Sequence, residues 1–177
     1  MTKFVYYDTI NNVIDFNLDF LQSGLYGGVS LMNDIIKALS ERLELNGISC
    51  RIPEDREDAM WFAAKLPNHD FAPAFYVTYN PANRVGMILI SRIAKIIKIG
   101  NSLASFMNSF NADPANLSYK AYVDRTGEFT FSSVSLFGSD AVNMLEYTVN
   151  TGIVCVDRCF GELSDILNSP EETEAEE

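Results

Sequence analysis

Apolar side chains recur every three or four residues between Leu31 and Leu43, where Leu31, Ile35, Leu39 and Leu43 align with Met32 and Ile36 beside them. That period marks a helix with one buried stripe and predicts a helix over 31–46. Ser30 stands before it as an N-cap, and Asn46-Gly47 closes it. A second helical phase joins Leu103, Phe106, Met107 and Phe110, between the break at Gly100-Asn101-Ser102 and Pro114. A third runs through Val142, Leu145, Val149, Ile153, Val156, Phe160, Leu163 and Leu167, with Ser139 as its expected cap. Gly152 and Gly161 weaken this last helix without ending it.

Elsewhere the period drops to two. Phe75-Tyr76-Val77-Thr78-Tyr79 and the isoleucine-rich run from Val85 to Ile99 flank Asn80-Pro81-Ala82-Asn83, which predicts a β-hairpin. Tyr119–Val123 and Phe129–Leu136 alternate around Asp124-Arg125-Thr126-Gly127 and predict a second. Residues 57–66 favour a helix by intrinsic propensity, yet the segment is short and carries no clear period. Residues 1–29 read as an arm or a hairpin, with Phe4-Val5-Tyr6-Tyr7 strand-like and Gly27-Gly28 as a break. Residues 169–177 have almost no apolar content and carry Glu171, Glu172, Glu174, Glu176 and Glu177, so a disordered acidic tail is expected.

Taken in order, these elements describe an α+β chain of the form α-β-β-β-α-β-β-α. That order resembles the YbjN family of bacterial sensory-transduction regulators, whose fold is similar to that of type III secretion chaperones. The residues that carry the resemblance are Asn108-Ser109-Phe110-Asn111, then Tyr119-Lys120-Ala121-Tyr122-Val123-Asp124 and Gly127-Glu128-Phe129-Thr130-Phe131. The likeness spans residues 30–168. It implies an antiparallel sheet flanked by helices and a strand rather than a helix within 57–66, where sheet pairing overrides a small propensity difference. It also implies a non-enzymatic protein-binding or regulatory module in sensory or stress regulation. A secretion-type chaperone for a partner protein is the alternative.

Charge narrows the partners. The net charge is −11, and even without the terminal glutamates the body is acidic, so a nucleic-acid backbone that must be neutralised by clustered Lys and Arg is a poor ligand. Near the start, Asp8, Asp15 and Asp19 interrupt the apolar residues, unlike the charged-then-apolar plan of a secretion signal. The greasiest run, Val85 to Ile99, contains Arg92, Lys95 and Lys98 and is too short to cross a bilayer. Three cysteines, Cys50, Cys155 and Cys159, do not form a disulfide framework. A cytoplasmic protein with reduced thiols, without nucleic-acid or membrane partners, is the expectation.

Candidate chemistry is sparse. Cys155 and Cys159 stand four apart on the last helix, as two metal ligands would, but a structural zinc site needs two more and His69 has no sequence link to them. His69 as base to one of the cysteines would make a thiol-dependent hydrolase, yet no nucleophile motif surrounds any of them. Glu54, Asp55, Glu57 and Asp58 interleave with Arg51 and Arg56 and lack calcium-loop spacing. Gly24-Leu25-Tyr26-Gly27-Gly28 lacks the Lys of a phosphate loop. No catalytic, cofactor or metal residue is therefore assigned. The expected contact residues for a protein or peptide partner are the basic stretch Arg92, Lys95 and Lys98 and the strand aromatics Phe75, Phe129 and Phe131. A homodimer is expected, because a sheet with so few helices leaves an apolar face to cover, with Trp61, Phe75, Tyr76, Phe129 and Phe131 as the candidates.

Overall fold

The computed structural model describes residues 31–169 apart from Leu117. The arm expected over 1–29, the Ser30 cap, the glycine-rich stretch at 24–28 and the tail from Pro170 lie outside these residues. In chain order the elements are α1 (Leu31–Leu45), β1 (Cys50–Arg51), β2 (Ala59–Ala63), β3 (Ala74–Asn80), β4 (Val85–Lys95), α2 (Asn101–Ala112), a 3-10 turn at Pro114–Asn116, β5 (Lys120–Val123), β6 (Glu128–Leu136) and α3 (Ala141–Leu167). The six strands form one antiparallel sheet in the order β1-β2-β3-β4-β6-β5.

All three helices pack on one face of this sheet. Ile36, Leu39 and Leu43 of α1, Leu103, Phe106 and Phe110 of α2, and Leu145, Val149, Val156 and Leu163 of α3 join Phe75, Val77, Ile88, Ile90, Phe129 and Phe131 of the strands in a single core. Each fully buried side chain of this size contributes about 1.5–3 kcal/mol. Aromatic pairs order the centre: Phe62 stacks on Phe75 at 5.0 Å, and Phe110 meets Phe131 at 4.8 Å.

The strand implied within 57–66 is present as β2, aligned with β3 from Ala59↔Thr78 to Ala63↔Ala74. Met60 and Phe62 point into the core while Trp61 points away, and that burial outweighs the local helical preference. β1 is an addition to the expected order, a two-residue strand at the sheet edge. The run expected as a strand to Ile99 stops at Lys95. Between Ile90↔Phe131 and Ala94↔Phe129, three residues of β4 oppose one of β6, and Arg92 takes φ 61° at this bulge. The bulge is held by Glu128, whose carboxylate accepts the Arg92 N–H at 2.6 Å. Glu128 is itself buried, and desolvation raises its pKa against the opposing Arg92 N–H and Lys95. The last helix starts at Ala141 with Asp140, not Ser139, at its N-cap.

Two glycines have specific tasks. Gly127, at φ 82°, completes the β5–β6 turn, whose Asp124 carboxylate accepts from Thr126 N, Thr126 Oγ1 and Glu128 N at 2.7–2.9 Å. Gly152 lets α3 approach Tyr119, whose hydroxyl donates to the Thr148 carbonyl at 2.8 Å. A Cβ at position 152 would lie 2.5 Å from that hydroxyl.

Gly152→Ala is expected to lose about 1–2 kcal/mol in urea unfolding, because overpacking outweighs the roughly 1 kcal/mol helix-propensity gain of alanine. Combining it with Tyr119→Phe should be less harmful than the sum of the two single changes, since the hydroxyl is the nearest clash. Glu128→Gln keeps an acceptor for the bulge without a buried charge. A raised folded pKa means that ionised Glu128 opposes folding above that pKa and ceases to do so in acid. Glu128→Gln should therefore match or exceed wild-type stability at neutral pH, with the difference vanishing as pH falls. Glu128→Ala, which removes the acceptor, should lose about 1–3 kcal/mol by the same measurement.

Candidate partner-binding surface

The face of the sheet turned away from the helices is built by the alternate residues of each strand. Strand register sets them in rows. Arg51, Trp61, Tyr76, Leu89 and Ser132 form one row across β1, β2, β3, β4 and β6, and Ala59, Thr78, Met87 and Val134 form the next. Asn80, Val85 and Leu136 make a third. No described helix packs on this face. Trp61, Tyr76, Val85, Met87 and Leu89 are half-buried, while Val134 and Leu136 are 61% and 76% exposed. A contiguous apolar patch that is partly open to solvent is a candidate for partner binding.

Polar groups rim the patch on its β1–β2 side. The Arg51 guanidinium lies 5.1 Å above the Trp61 ring, and Arg56 holds Asp58 through two bonds of 2.8 and 3.1 Å. Burial pushes the Tyr76 phenol up, opposed by nearby Arg56. The acidic cluster noted in the sequence is thus partly paired, with Asp58 committed to Arg56. Aromatic anchors with a charged rim suit recognition of a peptide or protein segment.

The contact residues expected from the sequence fall elsewhere. Phe75, Phe129 and Phe131 have no exposure at all and belong to the core beneath the helices, so a partner of the folded chain does not reach them. Their alternation partners Tyr76, Thr130 and Ser132 point the other way. The basic stretch does not form a common edge. Arg92 sits half-buried at the bulge, Lys95 donates to the Thr126 carbonyl of the turn, and Lys98 lies in the exposed connection to α2 beside Ile97 and Ile99. Met87, Leu89, Val134 and Leu136 were not singled out by sequence reasoning. The period-two pattern marks them as one face but does not say which face the helices cover.

The three cysteines and His69 sit in packed or bonded surroundings. Burial raises all three thiols, Cys50 to about 11 and Cys159 to about 12, opposite to the shift that activates a nucleophile. The His69 ring bonds the Asp157 carbonyl at 3.0 Å and leans on Phe160, while Asn68 grips the Asp157 carboxylate, which docks the β2–β3 loop on α3. Among the described residues no three His, Cys, Asp or Glu side chains are grouped as metal ligands. A cleft of about 190 Å³ between α2 and α3, lined by Phe106, Phe110, Asp113, Asn116, Arg158 and Cys159, is smaller than ordinary small-molecule sites. Among the described residues no helix is long and apolar enough to cross a membrane.

No family model matches the chain, and no curated protein does. Among solved structures, it is similar to a chain in the crystal structure of the ExsC–ExsE complex, with a TM-score of 0.51 and 13% identity over 75% of this chain and 97% of that one. The fold is type III secretion chaperone-like, an antiparallel sheet flanked by three helices.

At pH 7 a thiol of pKa about 11 is thiolate in roughly one molecule in ten thousand. All three cysteines should therefore react slowly with an aromatic disulfide reagent in the folded protein, faster by about tenfold per pH unit above neutrality and quickly after denaturation. A fast-reacting thiol at neutral pH would contradict these environments.

Proposed function

We propose that this chain is a protein-binding module of the secretion-chaperone kind, which seats a segment of a partner protein on the open face of its sheet. One observation carries the reading: the apolar rows through Trp61, Tyr76, Leu89, Met87 and Val134 are left uncovered by every described helix. The similar solved chain comes from a complex of two proteins, ExsC and ExsE, so the fold serves protein–protein assembly there. The raised thiols support binding rather than thiol catalysis.

On this reading the protein works in the cytoplasm, and the free chain covers the same face with a second copy. Partner binding and homodimer formation then compete for one surface. A regulator of the YbjN kind is the second reading. It is favoured by the α2–β5 junction, where Asn111, the last residue of the Asn108–Asn111 motif, bonds the strand that opens the following hairpin.

Val134→Asp places a charge on the open face at a 61% exposed position, so folding should be unaffected. Light scattering at about 10–50 μM is expected to show a dimer for the wild type and a monomer for Val134→Asp. In affinity capture from a cell lysate, a partner retained by the wild type should weaken by at least about tenfold with Val134→Asp or Leu89→Arg. Val154→Asp, on the outer side of α3, should retain it. Equal capture by all variants would exclude the sheet face as the binding surface.

A further inference from the structure

An edge strand presents unpaired N–H and C=O groups on which another strand can build. β5 is such an edge, joined to β6 through Lys120↔Ser132, Ala121↔Phe131, Tyr122↔Thr130 and Val123↔Phe129. In an antiparallel ladder, alternate residues turn their backbone groups away from the partner strand. At Ala121 both backbone groups are taken by one side chain. Its N–H donates to Asn111 Oδ1 at 2.7 Å, and its carbonyl accepts from Asn111 Nδ2 at 2.9 Å. A carboxamide carries an N–H donor group and a C=O acceptor on the same carbon, as a peptide group does. Asn111 thus occupies the place of a residue in a seventh strand.

Several contacts hold it there. Asn111 lies near the end of α2, whose Phe106 and Phe110 rings rest against Phe129 and Phe131. Lys120 Nζ donates to the Asn111 carbonyl at 2.7 Å. The buried Asn116 amide donates to the Phe110 carbonyl at 2.7 Å, and its oxygen accepts from Arg158 of α3. The helix end, the edge strand and α3 are therefore locked into one polar junction.

We propose that Asn111 is an edge guard: its amide takes the backbone pair of Ala121 that an added strand needs, and so keeps the β5 edges of two copies of this chain from joining. A second copy is the occupant that the edge itself favours once unguarded. A twofold axis at Ala121 lets the two Ala121 residues exchange N–H···O bonds and sets Lys120 of each copy opposite Tyr122 of the other. That arrangement brings an ammonium to an aromatic ring and opposes no like charges directly. The contact is separate from the sheet-face association proposed above.

The test uses the full chain carrying Val134→Asp, so that association through the face is read in the parent and not confused with the edge. Adding Asn111→Ala should raise the mass measured by light scattering above that of the parent at about 50 μM. Hydrogen exchange at the Ala121 amide should accelerate by at least about tenfold at low concentration and slow again as concentration rises. Val123→Pro, added to this variant, removes the next outward N–H without touching the ladder to β6, and should return the mass to the parent value. An unchanged mass with Asn111→Ala, or association that survives Val123→Pro, would overturn the proposal. The unsubstituted chain supplies a readout that does not depend on any variant folding: its Ala121 amide should exchange at least about tenfold more slowly than that of Val123. Equal rates would overturn the guard equally.

Discussion

Phe75, Ile90, Phe129 and Phe131 stand at the middle of the sheet with no exposure to solvent, and the position of each helix follows from keeping them dry. α1 covers the β1–β3 side, α3 crosses β4, and α2 lies against β5 with its rings on β6. The three described helices cover one face of the six strands. The other face keeps its apolar rows because strand alternation assigns a second set of side chains to it, whether or not anything packs there. The proposed binding surface thus follows from the placement of all described helices on one side of the sheet.

Close packing on the dry face requires that its few polar groups be satisfied within the protein. The Tyr119 hydroxyl bonds the Thr148 carbonyl where Gly152 admits it, Asn116 closes the end of α2, and Glu128 serves the N–H of the β4 bulge. Among the described residues no buried side-chain nitrogen or oxygen lacks a hydrogen-bond partner. These bonds are individually modest, but each is expensive to leave unmade in a medium without water. Asn116, together with the Asn111 and Lys120 bonds, ties the end of α2 to β5.

Side chains with catalytic potential are turned to structural ends by the same packing. The cysteine thiols are desolvated, which favours the protonated and unreactive form. His69 fastens a loop to α3 through a backbone carbonyl and Phe160. What remains open to a partner is area, aromatic anchors and a charged rim. Those features suit protein recognition.

Element order was legible in the chain because its causes are local. The three-to-four period of α1 and α3, the turn chemistry of Asp124–Gly127 and the alternation of β3 and β6 each act within a few residues. The site was less legible. Phe75, Phe129 and Phe131 form the most apolar phase of their strands, a pattern shared by a core and by an adhesive surface, and only the docking of the helices, α1 over Phe75 and α2 over Phe129 and Phe131, makes them core. β2 took its strand form from pairing with β3, and Lys95 and Arg92 were parted by a bulge that depends on Glu128, distant in sequence. By itself, then, the sequence determined the sequence of helices and strands, the two faces each strand would offer and the acidic character of the whole. The tertiary structure alone decided which face is buried, because burial depends on neighbours that arrive from distant parts of the chain.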